Sequence, residues 1–245
     1  MLQELALCPS PRLLADYITS TDRFDAVVAT DILRATTTIT EALAAGVSSV
    51  IPVESLDELK TYKGKEGYLI AGERGGKKVD FADLGNNPLE YTPQKVKGKT
   101  IVLSTTNGTQ NLRAISRLAP QVPIYIGAIG NLDILARLLE EKYSHILIAA
   151  SGWKNCFSFE DSLFAALLEK SLCQTPPILD DATQMARDAL SLYGDNWKKA
   201  VAKSEHYQRL KKLIAQEQID YCLKEYLYSI VPQYLHGEIR ITHKV

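Results

Sequence analysis

The chain has 245 residues, and its 28 Lys+Arg nearly cancel its 29 Asp+Glu, leaving a formal net charge of −1. A composition of 46% hydrophobic and 23% charged residues is that of an ordinary globular protein and excludes wholesale disorder. The charge balance argues against a nucleic-acid partner, no apolar run approaches the roughly 18 residues that cross a bilayer, and residues 1–14 lack the basic start of a signal peptide, so a cytoplasmic chain is expected.

In chain order, β-branched runs predict strands at 2–7 and 25–30, and apolar periodicity then predicts a helix at 38–45. A strand at 49–53, a helix at 56–62, and strands at 68–71 and 100–104 follow. Next come a helix at 110–118, a strand at 124–127, a helix at 132–142, a strand at 145–150 and a helix at 159–171. After the Pro176-Pro177 break the chain reads as mostly helical over 178–232, closing with a strand at 238–242. Strand followed by helix, repeated, predicts an α/β fold with a largely parallel or mixed sheet and flanking helices. The expected organisation is one unit over 1–245, with 178–232 as a second lobe at most.

Cys8, Cys156, Cys173 and Cys222 are scattered without a C-x-x-C pair and read as buried free thiols. The four histidines form no ligand array, so a bound metal would need carboxylates, which suit a hard cation such as Mg²⁺.

In open α/β sheets ligands bind beyond the carboxyl ends of the strands, and four loops there are unusual. The first, DILRATTT at 31–38, puts Asp31, Arg34, Thr36 and Thr37 where a strand hands over to a helix. Helix-start N–H groups and a bidentate Arg favour an anion, although Thr38 and Glu41 on their own read as a capping box. The second, STTNGT at 104–109, offers Thr105, Thr106, Asn107 and Gly108 as a cradle for a phosphate or sulfonate. The third, AGERGG at 71–76, brings Glu73 and Arg74, with Asn86 and Asn87 nearby in GNNP. Against this stands an exposed turn with a local salt bridge. Its continuation Lys77-Lys78 is one residue short of a phosphate-binding P-loop and lacks the Ser/Thr. The fourth runs from Ser151-Gly152 to Glu160 and Asp161, where Ser158 and Asp161 also have capping-box spacing.

Acids mixed with anion grips fit a metal-assisted reaction on a phosphate ester. A carboxylate about 4 Å from one phosphate charge is repelled by roughly 4 kcal/mol at an effective dielectric near 20, and a cation reverses that sign. Glu73, Glu160 and Asp161 are the candidate ligands for Mg²⁺. Asp31 is a nucleophile, a general base or a further ligand. Arg34 acts beside it, and Thr36, Thr37, Arg74, Asn86, Asn87, Thr105, Thr106, Asn107, Gly108 and Gly152 form the candidate substrate-binding set.

The ordered motifs DILRATTT, AGERGG, LGNNP, STTNGT and ASGW…FSFEDSLFA, with Ser204-Glu-His, Asp220-Tyr-Cys and Val231-Pro232 behind them, resemble the 2-phosphosulfolactate phosphatase family over nearly the whole chain. The resemblance implies that family's own α/β fold and Mg²⁺-dependent hydrolysis of (2R)-2-phospho-3-sulfolactate to (2R)-3-sulfolactate and phosphate, a step of coenzyme M biosynthesis. One departure is His206-Tyr207, where the family often has His-Gly. Two other readings remain open: a phosphatase for another small phosphorylated hydroxy acid, and a non-catalytic anion-binding or regulatory module. The expected partner is a small anionic phosphate ester, and a homodimer is compatible with the sequence.

Overall fold

The computed structural model describes residues 2–19, 23–172 and 177–244. The chain runs β1 (Glu4–Cys8), α1 (Leu14–Thr19), β2 (Ala26–Thr30), α2 (Ala35–Ala44), β3 (Ser49–Pro52), α3 (Leu56–Lys60), β4 (Tyr68–Arg74), β5 (Lys77–Lys78), α4 (Pro93–Val96) and β6 (Thr100–Ser104). It continues through α5 (Gly108–Leu118), β7 (Ile124–Gly127), α6 (Leu132–Lys142), β8 (His145–Ala150), α7 (Phe159–Lys170) and β9 (Ile178–Leu179). Four helices follow, α8 (Asp181–Ser191), α9 (Trp197–Val201), α10 (Glu205–Leu210) and α11 (Gln216–Cys222), and a hairpin of β10 (Ile230–Leu235) and β11 (Glu238–Lys244) closes the chain.

One mixed sheet holds the strands in the order β5-β4-β6-β3-β11-β10-β7-β2-β8-β1-β9. β4, β6 and β3 form one parallel block, and β7, β2, β8, β1 and β9 form another. The hairpin sits between them, antiparallel to β3 on one side and to β7 on the other. Its turn, His236-Gly237, has φ of 48° and 92°, the double left-handed geometry that a tight two-residue hairpin requires. The two blocks therefore run in opposed directions. Twist of about 20–25° per strand pair, accumulated from β6 to β2, rotates one block against the other.

Within the larger block β1, β2, β7 and β8 are buried on both faces, and β9 is a short exposed edge strand. Along β1, Leu5 and Leu7 enter one core and Ala6 and Cys8 the other; β2 and β8 alternate in the same way. A strand covered on both sides has no polar face, which is why these runs are continuously apolar. α6 and α7 cover one face, joined by α8 to α11 through Leu190, Trp197, Val201, Leu210 and Ile219. α2 and α5 cover the other through Ile39, Leu43, Leu112 and Ile115.

Several expectations need correction. α2 starts at Ala35, with Arg34 as its N-cap, so Thr38 and Glu41 lie inside the helix and form no capping box. β4 runs on to Arg74, which places Glu73 on the strand rather than in a turn. The segment read as helical to 232 already contains β10, whose Pro232 lies at a register shift in the pairing with β11. A proline inside a strand reads as a breaker, and the bulge accommodates its missing N–H. Cys8 and Cys222 are buried free thiols, but Cys156 is exposed, and Cys173 lies outside the described residues. Among the described residues no helix is long and apolar enough to cross a membrane.

Candidate active site

The loops after β2, β4, β6 and β8 converge although they come from opposed blocks. In the first, the hydroxyls of Thr36 and Thr37 turn back to the carbonyls of Asp31 (2.9 Å) and Ile32 (3.5 Å), so they tie the loop to the first turn of α2. Arg34 is only 4% exposed and donates to Gln218 Oε1 and to the Gly76 carbonyl, each at 2.9 Å. The Leu33–Arg34 peptide bond is cis.

Glu73, at the end of β4, is 5% exposed, and its carboxylate accepts the Gly76 N–H, the Thr106 N–H (3.2 Å) and the Thr106 hydroxyl (3.0 Å). Arg74 makes no local salt bridge with it. Its guanidinium donates to the Glu73, Ser104 and Glu54 carbonyls and to Ser104 Oγ, latching the end of β4 to β6. Thr105 exchanges bonds with Thr109 in the first turn of α5, and Asn107 Oδ1 accepts the Lys154 N–H. Gly108 permits a close approach. A Cβ there would lie 2.6 Å from Ala35 Cβ and 2.9 Å from Asp31 Oδ2, so the starts of α2 and α5 meet at Asp31.

In the fourth loop Ser158 caps α7 by accepting the Asp161 N–H. The Asp161 carboxylate accepts from Ile32 N–H (3.0 Å) and Gly152 N–H (3.2 Å), so it joins the loops after β2 and β8. Gly152 has φ +64°, and a Cβ there would strike the Cys156 carbonyl at 2.2 Å. Asn87 caps a single 3-10 turn by accepting the Leu89 N–H. Asn86 is buried, its Oδ1 unpartnered among the described residues, and lines a cavity of about 350 Å³ with Arg34 and Lys77.

Electrostatics tie the acids together. Burial, with Glu73 and Glu160 close by, raises the Asp31 pKa to about 7 against the pull of the Ala35 N–H. Burial, followed by the charges of Glu160 and Asp31, raises the Asp161 pKa well above its ordinary value. Burial also raises Glu160, opposed by the hydroxyls of Ser158 and Ser204 and by Arg209.

Two residues complete the cluster that the sequence did not place in the site: His206, read there only as part of the Ser204-Glu-His motif, and Arg209. His206 and Arg209 are three apart on α10, hence on one face of it. His206 Nε2 stands 2.8 Å from the Leu33 carbonyl and so carries the proton, leaving Nδ1 to accept from Arg209 at 3.3 Å. Burial and the Arg209 charge lower the His206 pKa to about 4. The Arg209 guanidinium lies over the Trp153 ring, 3.6 Å from its centroid. With Glu160 these three line a cavity of about 280 Å³. The available signal was the His-x-x-Arg spacing behind Ser204, which caps α10.

A family model described as 2-phosphosulpholactate phosphatase matches residues 13–237. A "Probable 2-phosphosulfolactate phosphatase" of Caldanaerobacter subterraneus subsp. tengcongensis is 37% identical over 88% of this chain and 90% of its own length. The protein of the same name from Thermotoga petrophila is 38% identical over 86% of this chain and 89% of its own, and that of Clostridium beijerinckii is 32% identical over 91% and 94%. The chain belongs to the 2-phosphosulfolactate phosphatase family.

Members of this family are phosphoric monoester hydrolases, and so is this enzyme. Its four loops fit such chemistry in a specific way. Among the described residues no three Asp, Glu, His or Cys side chains form a group that could hold a metal by itself. The donors offered are buried carboxylate oxygens that repel one another, and the neutral imidazole of His206 is already engaged at both nitrogens. Such a set does not suit zinc. It fits Mg²⁺, a hard ion that is held by one or two carboxylates and fills its remaining positions with water and substrate oxygens.

Proposed function

We propose that this phosphatase hydrolyses (2R)-2-phospho-3-sulfolactate to (2R)-3-sulfolactate and phosphate, with Mg²⁺, as a cytoplasmic step of coenzyme M biosynthesis. The observation that carries the reading is a buried cluster of four acids set beside Arg34 where four loops meet, in a chain whose relatives bear that substrate in their names.

Of the candidate acids, Glu160 with one of Glu73 or Asp161 would hold the Mg²⁺, its remaining positions going to water and substrate oxygens. When bound, the ion supplies charge neutralisation and Lewis-acid polarisation at the phosphoryl oxygens. Asp31 acts as general base: burial and the neighbouring carboxylates make it more basic than an ordinary carboxylate, and so better able to accept a proton from water. The water oxygen bonds to phosphorus, the ester P–O bond breaks, Asp31 takes the water's proton, and the departing alkoxide is protonated from solvent. Arg34 supplies fixed positive charge as the phosphoryl group's charge redistributes. Backbone N–H groups hold Glu73 and Asp161 still, so the acid cluster is organised before substrate arrives.

Phosphate release from (2R)-2-phospho-3-sulfolactate, measured with Mg²⁺ and with EDTA, tests the reading. Release with Mg²⁺ and its loss in EDTA are expected. Equal turnover in EDTA removes the metal, and no release under either condition removes the substrate. A panel of phosphorylated hydroxy acids lacking the sulfonate is expected to react more slowly, and a preference for one of them reassigns the substrate.

A further inference from the structure

The turn between β4 and β5 carries two consecutive glycines, Gly75 and Gly76, with φ of 63° and 92°. In that left-handed geometry their carbonyls receive two different arginines. Gly76 O accepts from Arg34 Nη2 at 2.9 Å, and Gly75 O accepts from Arg209 Nη1 at 3.2 Å. Two guanidiniums from elements far apart in sequence are thereby seated on adjacent carbonyls; burial lowers the pKa of Arg209, and the charge of Arg34 adds to that. Glycine suits position 76 because a side chain at φ 92° is strained, and a Cβ there would also crowd Leu213 Cδ1 at 3.2 Å.

Each arginine is held from a second side, Arg34 by Gln218 and Arg209 by His206 and the Trp153 ring. His206 is a positioning residue here. Its Nε2–H is committed to the Leu33 carbonyl, which fixes the tautomer and presents Nδ1 as an acceptor to Arg209. Arg209 Nε is buried with no hydrogen-bond partner among the described residues. Two like charges placed side by side cost free energy unless an anion joins them, and Glu73, Glu160 and Asp31 all act on Arg209 from the acid cluster.

We infer that Arg209 is a second anion-binding residue of the active site, which pairs with Arg34 to grip the phosphoryl group of the substrate and the phosphate product, and that His206 orients it. The inference rests on the phosphatase reading above and assigns the grip within that site. Two guanidiniums on neighbouring carbonyls match a phosphate with three peripheral oxygens better than a single Arg does.

Three measurements on Arg209→Ala, Arg209→Lys and His206→Ala test this: affinity for inorganic phosphate by calorimetry, kinetics on (2R)-2-phospho-3-sulfolactate, and rescue by added guanidinium. Arg209→Ala is expected to weaken phosphate binding and kcat/KM about 10- to 100-fold, the weight of a charge-assisted contact, with guanidinium restoring part of the rate. Arg209→Lys keeps the charge but loses the fork, and is expected to fall between wild type and Arg209→Ala. His206→Ala should lower kcat/KM less than Arg209→Ala does. Unchanged phosphate affinity and kcat/KM in folded Arg209→Ala overturn the inference and leave the phosphatase reading standing. A loss in Arg209→Ala that guanidinium does not relieve, with phosphate affinity intact, marks a purely structural arginine and also overturns it. A wild type that binds phosphate through Arg209 yet releases none from the ester keeps the grip and removes the substrate.

Discussion

The Asp31 carboxyl is buried beside Glu73 and Glu160, and burial plus those like charges raise its pKa to about 7. A carboxyl with a raised folded-state pKa retains its proton on folding while the unfolded chain has released it, so stability falls as pH climbs from about 4 to about 7. Asp31→Asn is therefore expected to lower kcat about 100-fold or more and, in EDTA, to raise the melting temperature at pH 8, with little gain at pH 4. Paired thermal melts and rate measurements check this; a variant that loses both activity and stability at pH 8 contradicts it. His206 slopes the other way. Its pKa is lowered to about 4, so the unfolded chain binds the extra proton between about pH 6.5 and 4, and stability is lost as pH falls through that window. Replacing His206 by Gln should flatten that part of the stability curve, as read by denaturant midpoints at pH 7 and pH 5.

At the scale of elements, α7 is the piece that delivers two of the acids. Ser158 caps it, and the Asp161 carboxylate binds it to the loops after β2 and β8. Ser158→Ala should cost about 1 kcal/mol from the lost cap, and more if Glu160 loses its hydroxyl partner as well. Asp161→Asn leaves one oxygen for two N–H donors and turns an NH₂ toward one of them. Its melting temperature and activity should fall together, in contrast to Asp31→Asn. The apolar runs of β2, β6, β7 and β8 were legible in the sequence because strands covered on both faces carry no polar alternation. β5 and β9 were not, since two-residue strands hold no pattern, and β10 was hidden by Pro232. The four loops were legible from their clustered hydroxyls and acids. Arg209 was not: the His-x-x-Arg spacing on α10 hints at it, but its contact with Gly75 spans 134 residues and cannot be read locally.

Over the whole molecule, the site draws on both blocks of the sheet. Asp31, Glu160 and Asp161 follow strands of the larger block, whereas Glu73 and Thr106 belong to the smaller one. The bonds from Thr106 to Glu73 lie within the smaller block, and those from Ile32 and Gly152 to Asp161 within the larger. Arg34 crosses between them, reaching from the start of α2 to the Gly76 carbonyl. A ligand neutralising the acid cluster relieves repulsion between the blocks, between Asp31 and Glu73 above all. Its binding energy then adds to the global unfolding free energy: at about 100 times the dissociation constant a ligand of the folded state contributes about 2.7 kcal/mol. In a chain of this size each kcal/mol raises the melting temperature by roughly 2–4 °C. Saturating Mg²⁺ at pH 8 is thus expected to raise it by roughly 5–10 °C as a single cooperative transition, and Asp31→Asn should keep less than half of that rise. Two separate transitions, of which only one responds to Mg²⁺, would show that the blocks unfold apart and that the site does not join them.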